Sequence, residues 1–280
     1  MLLDSQQSDL DTIRFRIKDI ELSQFALFQD LPVELAGSVT GTVSAENWLD
    51  PDRREMKLTG KSQQIRIGSA KLSNVQADAS LTDAGILSYV LESQWLEGKL
   101  SASGEKKLDS LTGFINDRYP LKLKLTNARL KRLAESMTDQ ASKFSKQVQG
   151  RISASMDLQV TAGKFPEGSG QVSFEDVKYQ NRLASRSISS PISLSSGILA
   201  LKRIRAELQQ GEITGKATIP VLAKVSGAYE LDVRNFNLAR LLYVLVDDPV
   251  EANGVANARL SGRIGPVSYT HLTLPTICSV

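Results

Sequence analysis

The sequence predicts a mainly β protein: a long, antiparallel, strongly curved sheet built from repeats of about 108 residues with short amphipathic helices, forming an open groove or an elongated, taco-like sandwich. Three observations predict it. Apolar and polar residues alternate with period two over long stretches, one composite pattern returns along the chain, and glycines open or interrupt the alternating segments.

The alternation sets the strands. Ile13, Phe15 and Ile17 alternate with Arg14, Arg16 and Lys18, and Leu121, Leu123 and Leu125 alternate with Lys122 and Lys124. Ile152, Ala154, Met156, Leu158 and Val160 likewise alternate with Arg151, Ser153, Ser155, Asp157 and Gln159. One apolar face and one wet face suit an antiparallel sheet covered on a single side, whereas strands of a parallel α/β sheet are buried on both.

The repeat organises those strands. Phe15 to Phe25, Leu123 to Leu133 and Leu231 to Leu241 share the order apolar, x, apolar, x, Asp/Asn, x, x, Leu, x, x, Leu/Phe, at steps of 108 residues. Each copy is followed by a Gly strand: Gly37-Ser-Val39-Thr-Gly41-Thr-Val43, Gly150 to Met156, and Gly254 to Gly262, which includes Leu260. Gly85-Ile86-Leu87 returns as Gly197-Ile198-Leu199, and Gly98-Lys-Leu100 returns as Gly211-Glu-Ile213. The expected division is repeat 1 over 1–122, repeat 2 over 123–230, the start of a third over 231–267, and a non-native tail over 268–280.

Helices are expected after the Asp/Asn marker. Leu130, Leu133, Ala134, Met137, Ala141, Phe144 and Val148 recur at helical spacing, so Ala128 to Gln147 reads as an amphipathic helix ended by Gly150. Leu238 to Val246 reads as a shorter helix with Asn235 or Asn237 as N-cap, and Ser23 to Asp30 as a shorter one still, stopped at Pro32.

Composition excludes several classes. With 280 residues, 41% hydrophobic, 23% charged and a net charge of +3 with interleaved signs, nothing points to nucleic acid as a partner. The longest apolar run, Leu241 to Val246, is far short of the roughly 20 residues of a spanning helix. Met1-Leu2-Leu3-Asp4 does not open a secretory signal. Ser268 to Thr276 resembles a translated sequencing adapter, and it lies in the tail that holds the chain's single His271 and single Cys278. Ahead of that tail there is neither histidine nor cysteine, so disulfides, thiol nucleophiles, His-based triads and zinc sites are not expected.

The remaining candidate chemistry is thin. Asp50-Pro-Asp52 and Asp247 to Glu251 offer too few carboxylates for a calcium site and read as solvated turns. Lys106-Lys107 and the group Lys202, Arg203 and Arg205 read as solvated basic faces, and Ser185 to Ser196 as edge strand and loop. Trp48 and Trp95 read as caps on the end of a β core. No phosphate-binding glycine loop is present. The expectation is a non-enzyme with no catalytic, cofactor or metal residues. The candidate site is instead the apolar face, to which alternation assigns Val39, Val43, Leu123, Leu125, Ile152, Met156, Leu158, Val160, Ile213, Leu231, Val233 and Leu260.

The cassette of a strand, Asn235-Phe-Asn-Leu238-Ala-Arg-Leu241, a short helix and a Gly-rich strand, seen best in Leu231 to Ile264, resembles the AsmA-like superfamily, which includes TamB. The stretch with Leu72-Ser-Asn-Val75-Gln-Ala77, Gly85-Ile-Leu87 and Trp95-Leu-Glu-Gly98-Lys-Leu100 is similar to the other half of that unit. The resemblance implies an interior fragment of a longer periplasmic protein of diderm bacteria, anchored to the inner membrane by a missing N-terminal helix. It implies an apolar β-groove that holds phospholipid acyl chains between inner and outer membranes in outer-membrane biogenesis. The alternative expectation is a structural or protein-interaction β-repeat of the cell envelope whose apolar face is closed core.

Overall fold

A computed structural model describes residues 12–24, 35–47, 50, 54–67, 70–108, 118–137, 147–161, 164–207, 211–221, 225–239 and 253–264. Nearly all of them lie in antiparallel strands, as the alternation predicts. In chain order the strands are β1 (Thr12–Glu21), β2 (Leu35–Ala36), β3 (Ser38–Glu46), β4 (Glu55–Ile67), β5 (Ala70–Leu81), β6 (Ile86–Trp95), β7 (Gly98–Lys107) and β8 (Arg118–Arg129). One helix, α1 (Leu130–Met137), separates these from β9 (Val148–Thr161), β10 (Glu167–Tyr179), β11 (Arg182–Ser195), β12 (Ile198–Glu207), β13 (Glu212–Pro220), β14 (Gly227–Asn237) and β15 (Val255–Ile264).

The chain forms two compact units, one of residues 1–124 and 157–165, the other of 125–156 and 166–280. In the first, β1, β3, β4, β5, β6 and β7 pair in that order, and the short β2 pairs with β4. In the second, β10 to β15 pair each with the next. Two-residue turns join β6 to β7 through Leu96 and Glu97, at φ 53° and 62°, and β10 to β11 through Gln180 and Asn181, at φ 50° and 66°. Positive φ at both central residues matches the strand twist.

Bulges interrupt these strands, and an Asp/Asn signature recurs at several of them, although Lys202 and Arg203, which share Lys216, lack it. Ile17 pairs with Gly41 and Ile20 with Val39, which leaves Lys18 and Asp19 together opposite Thr40. Asn74 and Val75 share Ser93 in the same way, and Arg234 and Asn235 share Asn257. Asp19, Asn74, Asn127, Asp176 and Asn235 all stand in the left-handed region, at φ 49°, 52°, 55°, 50° and 52°. Asp and Asn tolerate that region better than other side chains with a Cβ. Three of the bulge amides are satisfied by a side chain of the facing strand: Asp19 N–H by Thr40 Oγ1 (3.2 Å), Asn127 N–H by Ser153 Oγ (3.2 Å) and Asn235 N–H by Asn257 Oδ1 (2.9 Å).

Each signature residue sits in an apolar-x-Asp/Asn-apolar run: Ile17 to Ile20, Leu72 to Val75, Leu125 to Ala128, Phe174 to Val177 and Val233 to Phe236. In a plain strand, residues three apart point to opposite faces, but the extra residue of a bulge restores the phase. Leu72 and Val75 are accordingly both buried, as are Leu125 and Ala128.

Three sequence expectations need correction. Ala128 and Arg129 belong to β8 and helix α1 starts at Leu130, because the bulge at Asn127 carries the strand past the point where a spacing of three looks helical. Gly150 ends no helix; it lies inside β9 at φ 143°, where a Cβ would crowd the backbone of Glu175 and Val177. The Ser185 to Ser196 stretch is no edge. Its residues up to Ser195 lie in β11, between β10 and β12, where Ser185 and Ser190 are buried and bond to main-chain carbonyls.

In α1, Leu130 and Leu133 are half-buried while Lys131, Arg132 and Glu135 are exposed. After Glu21 the chain makes a single 3-10 turn, Leu22–Gln24, and after β14 a helical turn begins at Leu238, so Asn237, not Asn235, is at its N-cap. The rest of all three expected helices lies outside the described residues, as do Trp48, Asp52, Asp247 to Glu251, His271 and Cys278.

Candidate functional site: the apolar face of the strands

Cross-strand register assembles the apolar face row by row. In the first unit Phe15, Val43, Leu58, Ala79, Tyr89 and Gly104 are successive partners across β1, β3, β4, β5, β6 and β7. A neighbouring row runs Ile17, Gly41, Gly60, Ala77, Leu91 and Ala102. In the second unit Ile188, Ala206, Ile213, Val233 and Ala258 form one row, and Ile204, Gly215, Leu231 and Leu260 another.

Of the twelve residues assigned from sequence, Val43, Ile213, Leu231, Val233 and Leu260 stand in these rows and Val39 lies along β3, whereas Leu123 and Leu125 lie in β8 and Ile152, Met156, Leu158 and Val160 in β9. Val43 sits between Phe15 and Leu58, and Val39 faces Ile20. Ile213 meets Val233 directly, and Leu231 meets Leu260. Leu125, Ile152 and Leu158 are buried, while Leu123, Met156 and Val160 are half-buried. Alternation missed nothing about the period, but it passed over Met56, Leu58, Leu87 and Tyr89, whose own alternation in β4 and β6 was as clear.

Much of this face remains open to solvent. Leu58 is 40% exposed although it lies inside an apolar row, and Phe15, at the end of that row on β1, is 39% exposed. In the first unit a shallow hollow of about 270 Å³ is lined by Val43, Met56, Lys57, Leu58, Ala79, Ser80, Leu81, Leu87 and Leu108. In the second, a hollow of about 260 Å³ involves Leu201, Ala217 and Tyr229. Glycines in the rows hold aromatic rings rather than leaving gaps: the Tyr89 ring occupies the place a Cβ on Gly104 would take, and Tyr229 does the same over Gly262.

In the first unit a charged side chain stands on this side at the end of β7. Lys106 is the cross-strand partner of Leu87 and is half-buried, so it is not the solvated lysine that the Lys106-Lys107 pair suggested; Lys107 is exposed. The Lys106 ammonium donates to the Arg118 carbonyl (3.0 Å) and lies 4.9 Å from the centre of the Tyr119 ring, a cation–π contact. The Tyr89 hydroxyl donates to the Pro120 carbonyl. Burial, and secondly the neighbouring Tyr119, push the Tyr89 phenol above its ordinary pKa.

The opposite face is wet. It carries cross-strand ion pairs such as Lys216 with Glu230 (3.0 Å) and Arg259 with Asp232 (3.0 Å), as well as the exposed Lys202, Arg203 and Arg205. A broad polar hollow beside the Asp19 and Asn74 bulges includes Lys61, Gln63 and Gln76. Among the described residues, no three His, Cys, Asp or Glu side chains group as metal ligands, and no helix is long and apolar enough to cross a membrane. The chain matches no protein-family model, no curated protein and no solved structure.

Proposed function

We propose that this chain is part of an AsmA-like envelope protein that holds or conducts phospholipid acyl chains along the apolar face of its curved strands. The observation that carries the reading is a contiguous apolar face on which Leu58, in the interior of a row, and Phe15, at the row's end on β1, stay about two-fifths exposed. Apolar area left in water is costly, by about 25 cal/mol per Å², and contiguous patches of it mark binding surfaces. Acyl chains cover such a face without requiring any fixed polar partner.

The 108-residue repeat supports the same reading. The left-handed bulge recurs at Asp19, Asn127 and Asn235, and three residues later Leu22, Leu130 and Leu238 each open a helical turn. Bulges increase local coiling, which is what a groove needs. On this reading the protein is periplasmic and anchored to the inner membrane.

Native mass spectrometry of the full chain after gentle extraction tests the proposal. Bound phospholipid is the expected result; lipid-free protein under every extraction condition refutes it and favours the envelope scaffold with a protein partner. A photo-crosslinking side chain at half-buried Met156 should capture lipid, and one at exposed Ser155 should not.

A further inference from the structure

Among the described residues β15 has a single strand partner, β14, so the backbone groups along its other side meet no strand. The devices that usually blunt such an edge are missing from it. β15 runs for ten residues without proline or lysine, and the bulge in its ladder belongs to β14, where Arg234 and Asn235 share the single Asn257. β1 is the contrasting case. It too has one strand partner among the described residues, β3, but it carries exposed Arg14, Arg16 and Lys18 at alternate positions, and the bulge at Lys18 and Asp19 is its own.

The charges decide what each edge accepts. Two copies of one strand pair antiparallel about a twofold axis, and apolar face joins apolar face only when that axis passes through a residue. For β1, an axis at any residue from Arg14 to Lys18 sets one basic side chain against another or against its own copy. For β15, an axis at Leu260 pairs residues 256–264 throughout, with Arg259 opposite Ser261, Asn257 opposite Arg263 and Ala258 opposite Gly262, so no like charges meet. Moving the axis by one residue sets Arg259 against its own copy or against Arg263. The longer face-matched pairings of β1 with β15 also set Arg14, Arg16 or Lys18 against Arg259 or Arg263.

We infer that β15 is a dimerisation edge whose occupant is β15 of a second copy of this chain, paired antiparallel with Leu260 on the twofold axis. The apolar row of Leu231 and Leu260 then continues into Leu260 and Leu231 of the second copy without a step. The inference goes beyond the acyl-chain reading and does not need it, because the pairing is made by backbone groups and register.

Sedimentation velocity of the full chain at increasing concentration tests it, and a reversible monomer–dimer equilibrium is the expected result. Ser261→Arg places an arginine opposite Arg259 of the second copy, twice per dimer, and should weaken the dimer by about tenfold. Within its own chain position 261 faces Glu230, so the new arginine gains a counter-charge and the fold is not strained. The double variant Arg259→Ser with Ser261→Arg exchanges the two side chains, again sets serine opposite arginine, and should restore dimerisation to within about twofold of wild type. Wild-type protein that stays monomeric up to about 100 µM overturns the proposal and leaves the edge to a strand of another protein. A dimer that Ser261→Arg leaves untouched forms elsewhere on the surface and also overturns it. Loss in the single variant without recovery in the double overturns the Leu260 register. Lipid capture at Met156 reads the acyl-chain reading separately, whatever the oligomeric state.

Discussion

Asp19 and Thr40 clasp one another across β1 and β3. The Asp19 amide donates to the Thr40 hydroxyl at 3.2 Å, and that hydroxyl donates in turn to Asp19 Oδ1 at 3.0 Å. The bulge residue and the single residue facing it thus satisfy each other, so a backbone amide displaced from the ladder does not go unpaired. Ser153 at Asn127 and Asn257 at Asn235 accept the same amide.

The left-handed conformation at these positions makes their side chains selective. At Asn127 (φ 55°) Asn127→Val should cost about 2 kcal/mol, whereas Asn127→Gly should stay within about 1 kcal/mol of wild type. Urea unfolding of the full chain measures both. A valine variant as stable as the glycine variant would show that the bulge is not what fixes the backbone there.

Gly170 lies where β10 runs beside β9, and a Cβ on it would strike the Ser155 carbonyl and the Met156 backbone. Main-chain atoms cannot swing aside as a side-chain end can, so Gly170→Ala should destabilise by about 1–3 kcal/mol. Unchanged stability in thermal and urea unfolding would mean that the two strands can separate at no cost.

Tyr89 should make the protein sensitive to alkali. Its phenol is raised by burial and by Tyr119, so the folded state favours the neutral form more than the unfolded state does. That contribution is complete below the unfolded value of about 10 and is lost as the pH rises through the higher folded value. Between about pH 8 and about pH 11 the urea midpoint should fall further for wild type than for Tyr89→Phe. Equal falls would remove Tyr89 as a cause.

The ion pair of Lys216 with Glu230 spans directly paired residues of β13 and β14, yet the two side chains are 65% and 61% exposed. A double-mutant cycle should give a coupling of about 0.5 kcal/mol or less, and roughly 1 M salt should abolish it. A larger, salt-resistant coupling would show that solvent is excluded from that face.

Much of the strand content was legible because period two is a direct statement of which side each residue faces. Val43 beside Leu58 and Ile213 beside Val233 needed nothing more than alternation plus register. What misled was the spacing of three. Leu125 to Ala128 has the interval of a helix, and only the left-handed turn at Asn127 shows that it is a strand with an extra residue. The apolar-x-Asp/Asn-apolar run was visible in the sequence and would have located the bulges at Asp19, Asn74 and Asn235, though not the one at Lys202 and Arg203. Lys106 was hidden for a different reason: beside Lys107 it looks like half of a basic pair, and in a strand adjacent residues point to opposite sides.

Within each unit almost every strand finds its partner in the next strand along the chain. Such contacts close short loops, so hairpins can form early and independently, without waiting for distant segments to meet. It also frees length from topology. A further strand added at β15, or a hairpin duplicated within the order, needs no crossing and no rethreading of what came before, so evolution can lengthen the apolar track in hairpin steps while its bulge grammar stays the same.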